Sequence, residues 1–124
     1  MIRYGFPARF KLKKTDEFSS VFSFRRRIGG AFLAVHYMPG NLDFPRLGIV
    51  VGKKLVRRAH DRNYIKRVLR EMFRLRSQNY PPVDMVIRVH KVFGPTEFVQ
   101  VESEFAAAMD RILQITRKTT HGVQ

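Results

Sequence analysis

Apolar residues recur three and four positions apart in three stretches of the chain and alternate or cluster in three shorter ones. The strongest helical stripe centres on Ile65. At about 100° per residue, Val68, Leu69, Met72 and Phe73 all fall within about 80° of it, which predicts an amphipathic helix from about Arg58 to Leu75. A second stripe, Phe105, Met109, Ile112 and Leu113, predicts a last helix that packs on a sheet. Thr96 is its expected cap, and Arg117 and Lys118 suit its C-terminal end. A short helix is expected near the start, with Thr15 as N-cap and Asp16 and Glu17 in its first turn. It carries Phe18, Val21 and Phe22 on one face and stops near Arg25, Arg26 and Arg27, ahead of Gly29 and Gly30.

Three segments read as strands: Ala31 to Met38, Arg46 to Lys53, and Asp84 to His90. Alternation puts Phe32, Ala34 and His36 on one face of the first and Leu33, Val35 and Tyr37 on the other. The first two strands are expected to run antiparallel, joined by a loop through Asp43 and Pro45. The order α-β-β-α-β-α, with an extra edge strand making α-β-β-β-α-β-α, predicts an α+β sandwich of helices on a small sheet. At 124 residues the expectation is one domain over 1–124, with flexible ends at about 1–8 and 119–124.

Charge changes the picture of the central helix. The face opposite Ile65 is crowded with Asn63, Lys66, Arg67, Arg70 and Arg74, and only Asp61 and Glu71 lie nearby. Lys66, Arg70 and Arg74 form a ladder at i, i+4 and i+8, where like charges repel. Such a face is costly unless an outside partner supplies the anions, and guanidinium groups bind phosphate through two parallel hydrogen bonds. The whole chain carries a net charge of +14 with a pI near 11.1. That balance implies a polyanion, with nucleic acid the usual one and an acidic membrane its rival. No run of 18 apolar residues could span a bilayer. The absence of cysteine excludes disulfides and thiolate metal sites.

A catalytic constellation is not visible. His36, His60, His90 and His121 lack a metal-ligand spacing, and no glycine-rich phosphate loop is present. Glu97, Glu102 and Glu104 share a helix whose other face is core, so a solvated role is the simpler reading. His60 and Tyr64, one turn apart, suit either base stacking or plain exposure. The chain by itself does not read as an enzyme. An arginine-faced helix beside a sheet lined with aromatics suits a structured RNA with a single-stranded portion. A stand-alone RNA-binding module and a DNA-binding protein are the competing classes.

At these residues a resemblance becomes specific. Lys53 and Lys54, followed by Ala59, His60, Arg62, Asn63, Lys66, Arg67, Arg70, Glu71, Phe73 and Arg74, resemble the signature of the bacterial ribonuclease P protein subunit. Phe10 to Leu12 with Phe18, Val21 and Phe22, Pro45 to Val51, and Asp84 to Ile87 extend the likeness over nearly the whole chain. Tyr64 departs from it, standing where the family usually has an arginine. The resemblance implies a fold similar to ribosomal protein S5 domain 2, with a left-handed β-α-β crossover containing the basic helix. It implies a cytoplasmic accessory subunit of an endoribonuclease that matures tRNA 5′ ends, in which a catalytic RNA and its Mg²⁺ do the chemistry. The partners implied are that RNA and precursor tRNA, with no membrane and no obligate protein partner, and no cofactor held by the protein alone. Lys53, Lys54, Arg58, Arg62, Asn63, Lys66, Arg67, Arg70 and Arg74 are the implied RNA contacts. Phe18 and Phe22, with Val35 and Tyr37, are the implied lining of a cleft for the 5′ leader, in place of plain core.

Overall fold

The computed structural model describes residues 8–40, 42–76 and 80–122, with side chains described through Thr116. The elements are α1 (Thr15–Phe24), β1 (Arg26–Gly29), β2 (Leu33–Pro39), β3 (Arg46–Val51), α2 (Ala59–Arg76), β4 (Val83–Val89) and α3 (Phe98–Gly122). They give the expected α+β order, with β1 as the extra edge strand. α3 runs on past Lys118, where flexibility was expected; the other expected flexible end, 1–8, lies almost wholly outside the described residues.

The strands form one sheet in the order β1-β2-β4-β3. β2 is antiparallel to β1 and β4, and β4 is parallel to β3. β2 and β3 therefore do run in opposite directions, but they are not neighbours, because β4 lies between them. The reason is burial. Val83 to Ile87 is buried at every position, and a strand covered on both faces belongs in the interior of a sheet. The parallel pair needs a crossover, and α2 supplies it.

The two faces of the sheet are covered differently. Leu33, Val35 and Tyr37 of β2, Leu47 and Val51 of β3, and Met85, Ile87 and Val89 of β4 point into the main core. Ile65, Leu69, Met72 and Phe73 of α2 meet them there, with Val101, Phe105, Met109 and Ile112 of α3. The opposite face carries a smaller cluster of Leu12, Val21 and Val86, against which Phe18, Phe22, Met38 and Val50 pack half-buried. The result is α1 on one side of the sheet and α2 with α3 on the other. Phe32 precedes β2 and belongs to the main core, set edge-on to Phe93 at 6.2 Å, so it does not share a face with His36 as simple alternation suggested.

Carboxylates make the connections between layers. Arg46 donates from Nε and Nη2 to both oxygens of Asp84 at 3.0 and 2.8 Å, and from Nη1 to Glu17 at 2.7 Å. Glu17 also accepts the backbone N–H groups of Lys13 and Lys14 at 2.8 and 3.1 Å. It thereby closes the start of α1, where Thr15 is the first helical residue and not the cap. At the other end Arg25 adopts the left-handed conformation, φ 62°, and its N–H bonds to Phe22. Gly94, whose N–H donates to Glu97 at 2.8 Å, replaces Thr96 as the cap of the turn before α3. Glu104 is not a solvated residue of α3. Its carboxylate accepts the N–H groups of Ala31, Phe32 and Leu33 at 2.7 to 3.1 Å, holding α3 to the start of β2. A side chain at position 30 would collide with it, hence Gly30.

The hydrogen bonds from Lys13 and Lys14, and then Arg46, hold the Glu17 carboxyl down at about 2, from an ordinary 4.5. A folded-state pKa below the unfolded value contributes stability that is full above about pH 4.5 and is lost as pH falls toward 2. Glu17→Gln is expected to cost about 1 to 2 kcal/mol at pH 7 and to flatten the acid limb of the stability curve. Urea titrations between pH 7 and 3 check this; equal acid sensitivity in the variant and the parent would remove Glu17 from that role.

Candidate nucleic-acid interface

Two charged surfaces emerge from this frame. The first is the solvent side of α2 with the turn that leads into it. Ile65, Leu69, Met72 and Phe73 are locked in the core, so the helix cannot rotate and Asn63, Arg67 and Arg74 stay exposed, with Lys66 and Arg70 half-buried beside them. Lys53, Lys54 and Arg58 are exposed in the preceding segment. That segment is itself fixed: Val56 is buried, its N–H bonds to Gly52 at 3.0 Å, and Arg62 Nη1 donates to the carbonyls of Val56 and Arg57 at 2.8 and 2.9 Å. Arg62 sits at the edge of the apolar arc because it folds back to brace this turn. Val68, included in the apolar stripe, is half-buried against the core, and so is Tyr64.

One expectation about this surface is corrected. The ladder is not wholly without counter-charge, since Arg74 pairs with Glu71 one turn back, lowering the Glu71 pKa and raising that of Arg74. The pair is exposed and contributes little. Among the described residues no acid lies within ion-pair distance of Lys66, Arg67 or Arg70.

The second surface is the sheet face under α1. α1 crosses the strands obliquely. The Phe18 ring lies over Gly48 of β3, so close that a Cβ there would stand 2.5 Å from the ring, and Phe22 sits edge-on to His36 of β2 at 4.7 Å. Register sets Arg27, His36, Val86 and Gly48 in one row across this face and Gly29, Ala34, Arg88 and Val50 in the next. α1 leaves the second row partly open, with Arg88 exposed. The row lies at the end of the sheet from which the chain leaves β3 for Lys53 and Lys54, so cationic groups surround the half-buried aromatics.

Val35 and Tyr37 are not part of this cleft. They point through the sheet into the main core, 1% and 7% exposed, and cannot line a surface with Phe18 and Phe22. His36 and Ala34 occupy the face that the aromatics cover. Sequence reasoning missed His36, Arg27 and Arg88 in this setting. The available signal was the alternation that puts His36 opposite Val35; which face α1 covers depends on long-range pairing.

His36 is distinctive chemically. Its Nε2 is buried without a hydrogen-bond partner among the described residues. Burial, then the cations of Arg88 and Arg27, lower its pKa below the usual 6.5. Asp84, the one buried acid among the described residues, is taken up by Arg46, and no group of three His, Asp or Glu side chains there could hold a metal ion.

Comparison with known proteins follows the same lines. The family model described as Ribonuclease P matches residues 6–113. The chain is similar to the ribonuclease P protein component of Chromobacterium violaceum, 50% identical over 93 residues that make up 75% of this chain and 77% of that protein. It is 40% identical to the Escherichia coli protein of the same name over 91 residues, 73% and 76% of the two chains. Among solved structures, the RNase P protein from Thermotoga maritima superposes with a TM-score of 0.74 at 28% identity, covering 82% of this chain and 96% of that one. The Staphylococcus aureus RNase P protein, at 24% identity and a TM-score of 0.70 over 86% and 94% of the chains, shares the fold.

Because a phosphodiester brought beside His36 would offset the field of Arg27 and Arg88, its pKa is expected to rise when a single-stranded RNA binds. Depressed in the free protein, the imidazole would then take up a proton at a higher pH than it does alone. An NMR titration of the His36 ring protons, free and with an RNA oligonucleotide, measures this. An unchanged midpoint would place the phosphates elsewhere.

Proposed function

The chain belongs to the ribonuclease P protein family, and on that premise we propose that it binds the catalytic RNA of ribonuclease P through α2 and the 5′ leader of precursor tRNA through the cleft under α1, promoting endonucleolytic removal of the leader. The observation that carries this reading is the separation of two binding chemistries on one sheet. A cationic helix face, on which no acid among the described residues pairs with Lys66, Arg67 or Arg70, lies on one side. An aromatic cleft rimmed by Arg27 and Arg88 lies on the other. The first suits the phosphates of a folded RNA, the second a single strand whose bases stack.

The division of work follows from the side chains. Lys53, Lys54, Arg58, Asn63, Lys66, Arg67, Arg70 and Arg74 contact the catalytic RNA, while Arg62 sets the turn that presents the two lysines. Phe18 and Phe22 give the leader bases a π surface. Neutralising phosphates releases counterions, so about six contacts would weaken binding more than tenfold when salt doubles. The Mg²⁺ of the reaction is assigned to the RNA, whose phosphates offer the oxygen ligands this ion takes, and the RNA also carries the catalysis. The protein acts in the cytoplasm with these RNAs alone as partners; among the described residues no helix is long and apolar enough to cross a membrane.

The direct test combines the protein with bacterial ribonuclease P RNA and a 5′-extended precursor tRNA at low Mg²⁺. Accurate 5′ cleavage that needs both components supports the reading; tight RNA binding with no gain in cleavage overturns it. Arg67→Ala with Arg70→Ala is expected to weaken assembly with the RNA at least tenfold and to reduce the salt slope by about two, with no loss of fold by circular dichroism. Unchanged affinity would move the RNA to another face. Phe18→Ala is expected to lower precursor affinity about tenfold while leaving assembly with the catalytic RNA near parental; equal losses in both assays would make Phe18 a packing residue alone.

A further inference from the structure

The aromatic series along α1 does not stop at Phe22. Phe24, the last residue of the helix, is 44% exposed. It borders a cavity of about 400 Å³ together with Arg26, Tyr37, Pro39, Pro82 and Ile115. The cavity lies beyond the sheet end where β2 finishes and β4 begins, and the C-terminal half of α3 forms its far wall. It is separate from the α2 surface, which stands over β3 at the opposite edge of the sheet. It borders the main core through Tyr37 and Ile115, and neither binding surface described above uses it.

We propose that this cavity is a nucleotide subsite for single-stranded RNA, taking one unpaired base against Phe24, over the buried edge of Tyr37, with its phosphates on Arg26 and the neighbouring Arg25. Three observations point there. The cavity's size falls in the range of small-ligand sites, about 300 to 1,000 Å³, and its wall is mostly apolar with a cation at the mouth, which suits a flat base with an anionic backbone. Arg26 lines its mouth and is exposed, as is Arg25 just before it in the chain. The route to it is continuous: Phe18 covers β3, Phe22 covers β2, and Phe24 reaches the cavity beside Arg26 of β1.

β1 also divides its charges. Arg26 pairs across from Tyr37 and shares its face, whereas Arg27 pairs across from His36 and shares the cleft face, its guanidinium folded along Gly29. A strand leaving the cleft over Arg27 therefore meets a second guanidinium as it turns the corner at Arg25. A protein partner fits less well, because Arg26 at the mouth and Arg25 before it, with no acid among the described residues paired to either, repel most surfaces except polyanions.

This inference rests on the leader-binding reading and extends it to nucleotides farther upstream. The test is an affinity series with assembled holoenzyme and precursor tRNAs whose leaders lengthen one nucleotide at a time. The protein variants are Phe24→Ala with Arg26→Ala, and separately Pro82→Glu, which sets a carboxylate at the cavity mouth without touching α1. In the parent, affinity is expected to step up at the leader length that first reaches the cavity. In both variants that step, about tenfold, disappears while shorter leaders bind as in the parent. A retained step in both variants overturns the proposal. A loss at every leader length overturns it too, since the residues would then serve assembly or fold. A change in self-association without a change in the step would make the cavity a protein-docking site. Phe18→Ala in the same series separates the two readings: it should weaken even short leaders, and if it does not, the leader cleft itself falls.

Discussion

The seating of α1, and with it the cleft beneath the helix, depends on the guanidinium of Arg46. It satisfies Asp84 through two parallel hydrogen bonds and Glu17 through a third nitrogen, and so connects β3, β4 and the first turn of α1. A buried carboxylate such as Asp84 would be untenable alone. Paired in this way it becomes the point from which the helix is hung. The apolar cluster beneath α1 is small, built on Leu12, Val21 and Val86, and would not by itself choose one seating of the helix. The ionic connection chooses it, and the positions of Phe18 over Gly48 and Phe22 over His36 follow.

The opposite layer is built on a different principle. α2 and α3 are held by a large continuous core, with Phe73, Phe105, Ile65 and Leu69 fully buried. Rotation of α2 would expose that stripe, so packing fixes its charged face, and at the start Arg62 also holds the entering turn. One side of the sheet is thus rigid through packing and offers fixed cations. The other is set by a few directional bonds and keeps Phe18 and Phe22 half-buried at the surface.

The elements that could be read directly from the sequence are those whose periodicity is local. The stripe of α2 was visible because Ile65, Leu69, Met72 and Phe73 repeat within one helix, and the same holds for Phe105, Met109 and Ile112 of α3. An extra edge strand was expected, but its residues were hidden, since Arg26, Arg27 and Gly29 look like the end of a helix and a turn, and only pairing with β2 makes them a strand. The order of the sheet was equally illegible, because the insertion of β4 between β2 and β3 is a long-range choice. That choice decides which face of β2 looks at α1, and it is why Val35 and Tyr37 belong to the core while His36 belongs to the cleft. The matches at Pro45 to Val51 and Asp84 to Ile87 gain a physical reason, in that Arg46 and Asp84 find each other across β3 and β4.

The outer edge of β1 has one more consequence. An edge strand carries backbone groups ready to pair with another chain, and natural sheets guard such edges with charge. Here the guard is Arg25 to Arg27 on a molecule of net charge +14, so two free copies repel each other where they could otherwise zip together. That protection is conditional on the contact proposed above: an anionic strand that neutralised these arginines would remove the repulsion, and would itself have to cover the edge it unmasked. Colloidal stability and cargo would in this way be coupled: the chain would be safest when wholly bare or fully loaded, and most exposed to self-pairing when RNA is scarce and shared among many copies.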